Sequence, residues 1–328
     1  MTKRNAIIFT TDAGFMMPTM SVVLQLLAQP EVIARADILI YLVDITADRK
    51  QRLEESFAGL PLRFIEIPAD LLTLPDSVRF NRTHVPRSTL ARLSLGTLIP
   101  RHYDNILYLD GDIQVLGDIL PLVTHEVGEG RIASVNEAVW MYQGDGGKYW
   151  PMMKAYLAGL GLGSPRDYFN AGVLAFRRST WETASAEALD FFLRHSDLCI
   201  FHDQSALNAV FNGRREILSP IYNYSSGYAD LGLEGRLEPR LVHFTGAAKP
   251  WFSGCAPWNG RFLPHYAALI REYPALATFG TPKTPAQITA IEREVATRRR
   301  RMMLTTPWRP MLRRRKLLRY MAATAFAC

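Results

Sequence analysis

Two aspartates stand one residue apart at the end of a short apolar run. Asp110 and Asp112 flank Gly111 and directly follow Ile106–Leu109. Carboxylates at this spacing can turn to the same side of a strand end and share a divalent cation, because hard cations prefer oxygen ligands. Asp-Gly is also a common turn pair, so this segment alone favours a metal site and a plain turn equally.

A second group of polar residues lies further along the chain. His243 ends another apolar run, and Gly246 and Lys249 follow it. Backbone N–H groups beside a glycine, together with an ammonium group, suit the oxygens of a diphosphate. The imidazole of His243 would be a suitable third metal ligand. Taken singly, a half-buried structural histidine and a surface lysine remain the simpler interpretation.

Two further segments combine polar and small residues. Asn170 precedes Ala171 and Gly172, whose small size would let a hydroxyl-rich ligand approach the backbone, although an ordinary turn is the alternative. Asp203 and Gln204 open an amphipathic stretch. There, Asp203 has a purely structural alternative as the N-cap of a helix.

Alternating apolar and amphipathic segments would position these residues. The predicted strands are Ala6–Thr11, Ile38–Val43, Leu62–Ile67, Ile106–Leu109, Ile132–Val135, Val173–Phe176 and Leu241–Phe244. The predicted helices between them are Met20–Ala28, Arg49–Phe57, Ser88–Leu98, Thr180–Phe192 and Gln204–Phe211. This alternation predicts an α/β fold with a mostly parallel sheet covered by helices on both faces. In such folds the ligand crevice lies beyond the carboxyl ends of the strands.

Charge is unevenly distributed along the 328 residues, which carry 38 Lys+Arg and 31 Asp+Glu. Ten of the basic residues and none of the acidic ones lie in Thr297–Cys328, which leaves 28 basic and 31 acidic residues in the first 296. This distribution argues against a basic body that wraps nucleic acid.

The remaining composition narrows the class and the compartment. Three cysteines are too few for a disulfide framework, so a reducing compartment is expected. The sequence contains no run of eighteen apolar residues, so no membrane-spanning helix is predicted. Asp12 interrupts the first apolar run too early for a signal peptide. These features together predict a cytoplasmic protein.

The character of the chain changes after about Gly280. A linker, Thr281–Pro285, precedes a predicted helix at Ala286–Arg301 and a last basic segment. A helical wheel of that segment places Met311, Leu318, Ala322 and Ala325 on one face, with Arg313 and Lys316 opposite. This imperfect amphipathic pattern suits an anionic membrane surface better than a disordered terminus or a nucleic acid.

In their chain order these segments resemble glycosyltransferase family eight, most closely its bacterial lipopolysaccharide α-glycosyltransferases with a GT-A domain. The shared segments are Ile7–Asp12, Leu90–Leu93, Leu107–Ile113, Phe169–Leu174, Asp203-Gln204 with Leu207-Asn208, and His243–Trp251. The resemblance implies a Rossmann-like GT-A catalytic domain at residues 1–280. Residues 281–328 are predicted from their own pattern to be a basic, helical, membrane-associating tail. The resemblance supports peripheral attachment of this tail to the inner face of the cell membrane, because lipopolysaccharide acceptors lie on the cytoplasmic leaflet.

The resemblance further implies retaining transfer of galactose or glucose from a UDP-sugar to a saccharide of lipopolysaccharide or a related glycolipid. Asp110, Asp112 and His243 match the ligands of a Mn²⁺ ion, with Mg²⁺ as the alternative. Asp12 matches the residue that binds uracil, and Phe15 the ring that stacks on it. The other donor-binding positions implied are Thr10, Arg92, Gly111, Asn170, Ala171, Gly172, Asp203, Gln204, Gly246 and Lys249.

Retention restricts the mechanism. Retaining glycosidases use a carboxylate nucleophile, whereas the matching residue here is the amide Gln204, with Asp203 beside it. We therefore expect front-face substitution, in which Gln204 stabilises the cationic sugar. The alternatives are a self- or protein-glycosylating family member and a sugar-nucleotide-binding protein without turnover.

Some positions depart from the family pattern. Ala13 and Gly14 replace residues that are often Asp and Asn, Asn136 stands where an acidic acceptor-site residue often occurs, and Ser205 replaces a frequent Asp. The aromatic-rich segment 136–168 and Tyr222–Tyr228 are predicted either to contact the acceptor or to pack in the core.

Overall fold

A seven-stranded sheet forms the centre of the computed structural model, which describes residues 4–73, 90–147 and 149–324. The strand order is β3-β2-β1-β4-β7-β6-β8, and β7 runs antiparallel to both of its neighbours while the other pairs are parallel. Its strands are β1 Asn5–Thr11, β2 Ala36–Leu42, β3 Leu62–Glu66, β4 Asn105–Leu109, β6 Ile132–Asn136, β7 Phe169–Arg177 and β8 Arg215–Ile217.

A small second sheet lies beyond the end of β4. Its order is β5-β10-β9, with β5 at Ile113–Val115, β9 at Tyr224–Ser225 and β10 at Leu241–His243. All seven predicted strands are confirmed, the last of them as β10. The three strands that were not predicted have only two or three residues each, too few for a periodic pattern to appear.

Helices cover both faces of the main sheet, as predicted. The α-helices are α1 Met16–Leu27, α2 Pro30–Arg35, α3 Ala47–Ser56, α4 Leu120–Val123, α5 Tyr149–Gly159, α6 Arg178–Arg194, α7 Asp203–Val210, α8 Ser226–Ala229, α9 Glu234–Leu237, α10 Leu263–Glu272, α11 Pro285–Thr305 and α12 Trp308–Ala323. Short 3₁₀ helices occupy Ala69–Leu72, Arg92–Thr97, Ala138–Tyr142, Pro220–Tyr222 and Pro274–Thr278. Side chains of α1 and α3 pack on one face of β1 and β2, and those of α6 and α7 pack on the other.

One predicted helix has a different form. Within Ser88–Leu98, residues 88 and 89 lie outside the described part of the chain, and Arg92–Thr97 is a 3₁₀ helix. It packs closely on α6, because a Cβ at Gly96 would lie 2.2 Å from the Ser185 hydroxyl and 3.3 Å from the Glu182 backbone. The tight contact with α6 gives this segment a geometry that helical periodicity does not encode.

The last helix, α12, packs against the body of the protein. Leu317 and Tyr320 are buried in the main hydrophobic core. The Tyr320 hydroxyl accepts a hydrogen bond from the Asn136 backbone at 3.1 Å and donates one to the Leu218 carbonyl at 3.0 Å. Residues 308–323 are therefore held to strand β6 by both apolar and polar contacts.

This docking changes how the basic residues of the tail are interpreted. On the predicted apolar face, Met311 and Ala322 are exposed and Leu318 is half-buried, while Ala325 lies outside the described residues. Arg313 pairs with Asp145 and Lys316 donates to backbone carbonyls, so these two residues bind the body. Five of the ten basic residues make such contacts: Arg299, Arg309, Arg313, Arg314 and Lys316.

The other five basic residues are Arg298, Arg300, Arg301, Arg315 and Arg319. None of their guanidinium groups makes a hydrogen bond or ion pair with the residues that the structure describes. Among those residues, no helix has both the length and the apolar content needed to cross a membrane.

The docking of α12 can be tested through Leu317, which is fully buried. We expect Leu317→Ala to lower the free energy of unfolding by about 2–5 kcal/mol, because a buried leucine leaves a cavity. Met311→Ala on the same helix removes a side chain that is 52% exposed, so a change of at most about 0.5 kcal/mol is expected. Urea unfolding followed by circular dichroism measures both. Equal effects of the two substitutions would mean that α12 is not docked in solution.

Candidate active site

Asp110, Asp112 and His243 converge at the boundary between the two sheets. The turn Asp110–Asp112 joins β4 to β5, and the antiparallel ladder of β5 and β10 pairs His243 with Ile113. The imidazole Nε2 lies 3.2 Å from Asp112 Oδ1 and 3.7 Å from Asp110 Oδ2. One ligand atom from each residue lies within 4.8 Å of the others, so the three side chains form a compact set of donors for a divalent cation.

Two glycines make this convergence sterically feasible. A Cβ at Gly111 would lie 2.1 Å from the Thr19 hydroxyl, so the turn packs directly on helix α1. A Cβ at Gly172 would lie 2.2 Å from His243 Cε1 and 2.9 Å from Asp110 Oδ2. Any side chain at Gly172 would therefore displace two of the three donors.

A chain of amides holds His243 from behind. Its Nδ1 lies 2.9 Å from Asn223 Oδ1, which can only accept, so Nδ1 donates and Nε2 faces the carboxylates. Asn223 Nδ2 donates to Asn170 Oδ1 at 2.8 Å, and Asn170 Nδ2 donates to Glu137 Oε2 at 2.7 Å. This orientation of the ring is the one that a metal-binding histidine requires, so the donor set fits a divalent cation.

Positive and negative side chains of the site lie close together and shift one another's pKa. Burial lowers the pKa of His243, but Asp112 and Asp110 act more strongly and raise it above its usual value. Burial raises the pKa of Asp112, but Lys249 and His243 outweigh burial and lower it. Lys249 Nζ lies 2.6 Å from Asp112 Oδ2. A cation bound between the carboxylates would replace the positive charges that now neutralise Asp112.

Arg92 neutralises the other side of the cluster. Its guanidinium lies 2.9 Å from Asp110 Oδ1 and 2.6 Å from Asp203 Oδ2, and it also donates to the Ala171 carbonyl. Burial lowers the pKa of Arg92, but the two carboxylates raise it by a larger amount, so the guanidinium stays charged. Burial raises the pKa of Asp203 to about 6, with Arg92 opposing and Asp110 reinforcing the shift.

Helix α7 contributes Gln204 next to this ion pair. The helix begins at Asp203, after His202, whose φ is positive at 54°. Gln204 Oε1 accepts from the Ala171 backbone at 3.0 Å, and its Nε2 donates to the Tyr168 hydroxyl at 3.2 Å. The amide is thereby fixed beside the strand that carries Asn170.

Strand β1 leads into the other end of the site. Thr10 donates to the Tyr108 hydroxyl at 2.9 Å, and Tyr108 donates to Asp110 at 2.9 Å. Asp12 Oδ1 accepts from the Phe15 backbone at 3.1 Å. Thr10 and Asp12 are thus tied to the turn of the carboxylates and to the start of helix α1.

Phe15 lies at the edge of an aromatic cavity. Its ring meets Trp251 edge-on at 6.1 Å between centroids, and Lys249 Nζ lies 5.7 Å and 5.9 Å from the two rings. These residues, with Gly14 and residues 280–283, line a cavity of about 570 Å³. Gly246, at φ 90°, is in the loop that leads from β10 to Lys249.

The structure thus brings the predicted site residues into one connected region, while two predicted acceptor segments behave differently. Tyr222, Tyr224 and Tyr228 are fully buried and pack in the core, and Trp140 is buried against Tyr320. In the segment 136–168, Tyr149 remains 39% exposed.

Sequence reasoning missed three residues that support the site, namely Tyr108, Glu137 and Asn223. Each is a polar residue in or beside an apolar run. For Asn223, the signal available in the sequence was a single asparagine in a segment with three tyrosines.

Asn223 offers a direct test of how the candidate metal site is held. We expect Asn223→Leu to weaken Mn²⁺ binding roughly 10–100-fold, because His243 loses the acceptor that fixes its ring. The half-buried Asn105 at the far end of β4 is the matched control, and Asn105→Leu should leave the affinity unchanged. Titration followed by electron paramagnetic resonance of free Mn²⁺ measures both. Equal affinities for the two folded variants would show that Asn223 does not position the histidine.

The sequence is similar to those of several known proteins. The chain is 26% identical over 269 residues to general stress protein A of Bacillus subtilis, across 75% of this chain and 86% of that protein. It is 29% identical over 183 residues to a lipopolysaccharide 1,2-glucosyltransferase of Escherichia coli, across 50% of this chain and 49% of that protein. It is also 29% identical over 193 residues to a lipopolysaccharide 1,3-galactosyltransferase of Salmonella typhimurium, across 54% and 53%. The match thus spans about half of each lipopolysaccharide enzyme.

The fold and the family follow from two further findings. The galactosyltransferase LgtC, solved in complex with donor and acceptor sugar analogues, superposes with a TM-score of 0.63 at 20% identity, over 85% of this chain and 97% of that chain. This likeness shows a GT-A fold. The family model described as glycosyl transferase family 8 matches residues 6–255. The chain therefore belongs to glycosyltransferase family 8.

Proposed function

We propose that this glycosyltransferase moves galactose or glucose from a UDP-sugar to a saccharide of lipopolysaccharide or a related glycolipid, with retention at the anomeric carbon. One observation carries the proposal. The donor set Asp110, Asp112 and His243 adjoins Lys249, whose Nζ lies 5.7 Å from the Phe15 ring and 5.9 Å from the Trp251 ring. A cation site, an ammonium group and an aromatic cavity in this order suit the diphosphate and the base of a nucleoside diphosphate.

The metal-binding residues fit Mn²⁺, or Mg²⁺ as the alternative. A divalent cation bound there would offset the negative charge that develops on the diphosphate as the sugar leaves. Lys249, relieved of its bond to Asp112, would then bind diphosphate oxygens. The loop at Gly246 adds backbone N–H groups, and its left-handed conformation favours a glycine.

At the nucleoside end, Asp12 and Phe15 are proposed to hold uracil by hydrogen bonding and stacking. Gly14 widens this end, because a Cβ there would lie 3.3 Å from the Asp12 carboxylate. Arg92, Asn170 and Asp203 are proposed to position the donor sugar from the opposite side. Thr10 and Gly111 would act through backbone geometry and packing, as would Ala171 and Gly172.

We propose front-face substitution as the route to retention. Gln204 is an amide and a poor nucleophile, and the carboxylate of Asp203 is only 3% exposed and paired with Arg92. The acceptor hydroxyl would attack from the face that UDP leaves and pass its proton to the departing phosphate oxygen. Gln204, held by Ala171 and Tyr168, would stabilise the cationic sugar. A sugar adduct trapped on Gln204, Asp203 or Glu137 of the wild-type enzyme would contradict this route.

A donor screen by UDP release distinguishes this proposal from its alternatives. UDP-galactose and UDP-glucose are each incubated with Mn²⁺, with and without a lipopolysaccharide-core or lactose-type acceptor. Acceptor-dependent UDP release with either donor supports the proposal. UDP release with transfer of the sugar to the protein itself points to self-glycosylation. Nucleotide binding without any UDP release points to a binding protein without turnover.

Asp112→Asn tests the metal site within the same assay. We expect it to reduce transfer by at least 100-fold, because it removes one metal ligand and the partner of Lys249. Asp118→Asn is the control. It changes a carboxylate that is 59% exposed and lies shortly after β5, and it should retain wild-type activity. Chelation by EDTA should abolish wild-type transfer, and added Mn²⁺ should restore it. Activity that survives both Asp112→Asn and EDTA would refute the metal assignment.

We also propose that the tail attaches the enzyme peripherally to the inner face of the cell membrane, where its acceptor would lie. Four large apolar side chains around the joint between α11 and α12 are more than half exposed: Met303, Leu304, Trp308 and Met311. Arg300, Arg301 and Arg315 lie near them in the chain and are exposed as well. Apolar residues flanked by arginines suit an interface of anionic lipid.

Because α12 belongs to the core, point variants test this attachment better than deletion of the tail. We expect the double variant Leu304→Ser, Trp308→Ser to lose most of its binding to phosphatidylglycerol vesicles in a sedimentation assay while it retains transfer to a soluble acceptor. Met152→Ser removes a side chain that is 58% exposed outside the tail, and it should bind as the wild type does. Unchanged binding of the double variant would contradict the attachment.

A further inference from the structure

A basic and aromatic cavity lies between the tail and the segment that follows strand β6. Its volume is about 430 Å³. Tyr142 and Tyr149 line one side, with their rings edge-on at 5.1 Å between centroids. Arg298, Arg301 and Arg309 line the other side. Nothing in the mechanism proposed above uses this cavity.

Specific hydrogen bonds and a cation–π contact hold the walls of the cavity in place. The carboxylate of Asp145, whose side chain is 1% exposed, accepts hydrogen bonds from the Arg313 guanidinium and, at 2.8 Å, from the Gly147 backbone N–H. Arg313 lies over the Tyr142 ring at 4.2 Å. Arg309 Nε donates to the Asp145 carbonyl at 3.0 Å. These contacts connect helix α12 to Tyr142 and to Asp145 in the loop that follows it.

The lining carries more positive charge than the protein neutralises. Four arginines and a single carboxylate, Asp145, line the cavity, and that carboxylate is already engaged by Arg313. A second carboxylate, Asp230, attracts Arg298 from outside the lining but is itself paired with Arg299. The guanidinium groups of Arg298 and Arg301 make no hydrogen bond or ion pair within the described ranges of the chain. Guanidinium groups grouped in this way favour phosphate or carboxylate, and adjacent tyrosine rings offer stacking surfaces for a sugar.

The cavity is connected to the reaction centre by a short element. Glu137, which accepts from Asn170, directly precedes the 3₁₀ helix Ala138–Tyr142. Five residues at about 2 Å each place Tyr142 roughly 10 Å from Glu137 along that helix. An oligosaccharide whose accepting hydroxyl lies near Asn170 could therefore reach the cavity with a neighbouring ring.

We propose that this cavity binds a phosphate or carboxylate group carried by the acceptor saccharide, on a ring other than the one that receives the new sugar. The arginines select an anionic acceptor, and the two tyrosines hold the ring that bears the charge. The proposal rests on the transferase function proposed above, because it names the class of acceptor for that reaction.

The kinetic test compares one disaccharide acceptor with and without phosphate on its non-accepting ring. The wild-type enzyme should have a KM for the phosphorylated acceptor that is lower by roughly tenfold or more, as expected for one or two charge-assisted hydrogen bonds. Arg298→Gln and Arg301→Gln should bring the two KM values together with little change in kcat. Arg300→Gln, an equal change of charge at an exposed residue that does not line the cavity, should keep the preference. No preference in the wild-type enzyme, or an equal loss in Arg300→Gln, would overturn the proposal.

A binding test without donor separates this inference from the proposed function. Glucose 6-phosphate should bind the wild type more tightly than glucose in titration calorimetry, and Arg298→Gln and Arg301→Gln should remove the difference. Tighter binding without any transfer activity would refute the transferase and leave the cavity supported. Loss of vesicle binding in these two variants but not in Arg300→Gln, without any discrimination of glucose 6-phosphate, would assign the cavity to a lipid headgroup and overturn the proposal.

Discussion

Two carboxylates must be held close together at the end of strand β4, and this constraint shapes the rest of the site. Asp110 and Asp112 would repel each other, and one would take up a proton, if no positive group were near. Arg92 balances Asp110, and Lys249 and His243 balance Asp112. The elements that supply these side chains lie far apart in sequence. Strand β4 of the main sheet and strand β10 of the second sheet meet at the site, which brings Asp110, Asp112 and His243 to one place.

The supports behind the charged residues are neutral, and this has a physical reason. Asn223 and Asn170 fix the histidine ring without adding a third negative charge beside the two carboxylates. Amides also donate and accept at once, so a single chain can connect strand β10 to β7 and to Glu137 after β6. Three hydrogen bonds thereby connect the candidate metal ligand His243 to Glu137.

Much of this architecture is readable in the sequence. The central strands are continuous apolar runs, and the metal donors follow such runs at their carboxyl ends, so both the sheet and the site could be predicted. The support by Asn223 could not be, because its role depends on a contact 20 residues away in the chain with His243. The short strands β5 and β9 are set by pairing with β10 rather than by their own pattern. Helix α12 has basic residues that suggest a free tail, yet Tyr320 and Leu317 dock it on the core, and composition does not reveal which face is buried.

The central claim is that Asp110, Asp112 and His243 together bind a divalent cation in place of the charge that Lys249 now supplies. Anomalous diffraction from crystals soaked with Mn²⁺ and UDP tests it most directly. The account predicts an anomalous peak bonded to all three side chains, with Lys249 moved from Asp112 to a phosphate oxygen. A peak at another position, or UDP bound while Lys249 remains on Asp112, would contradict it.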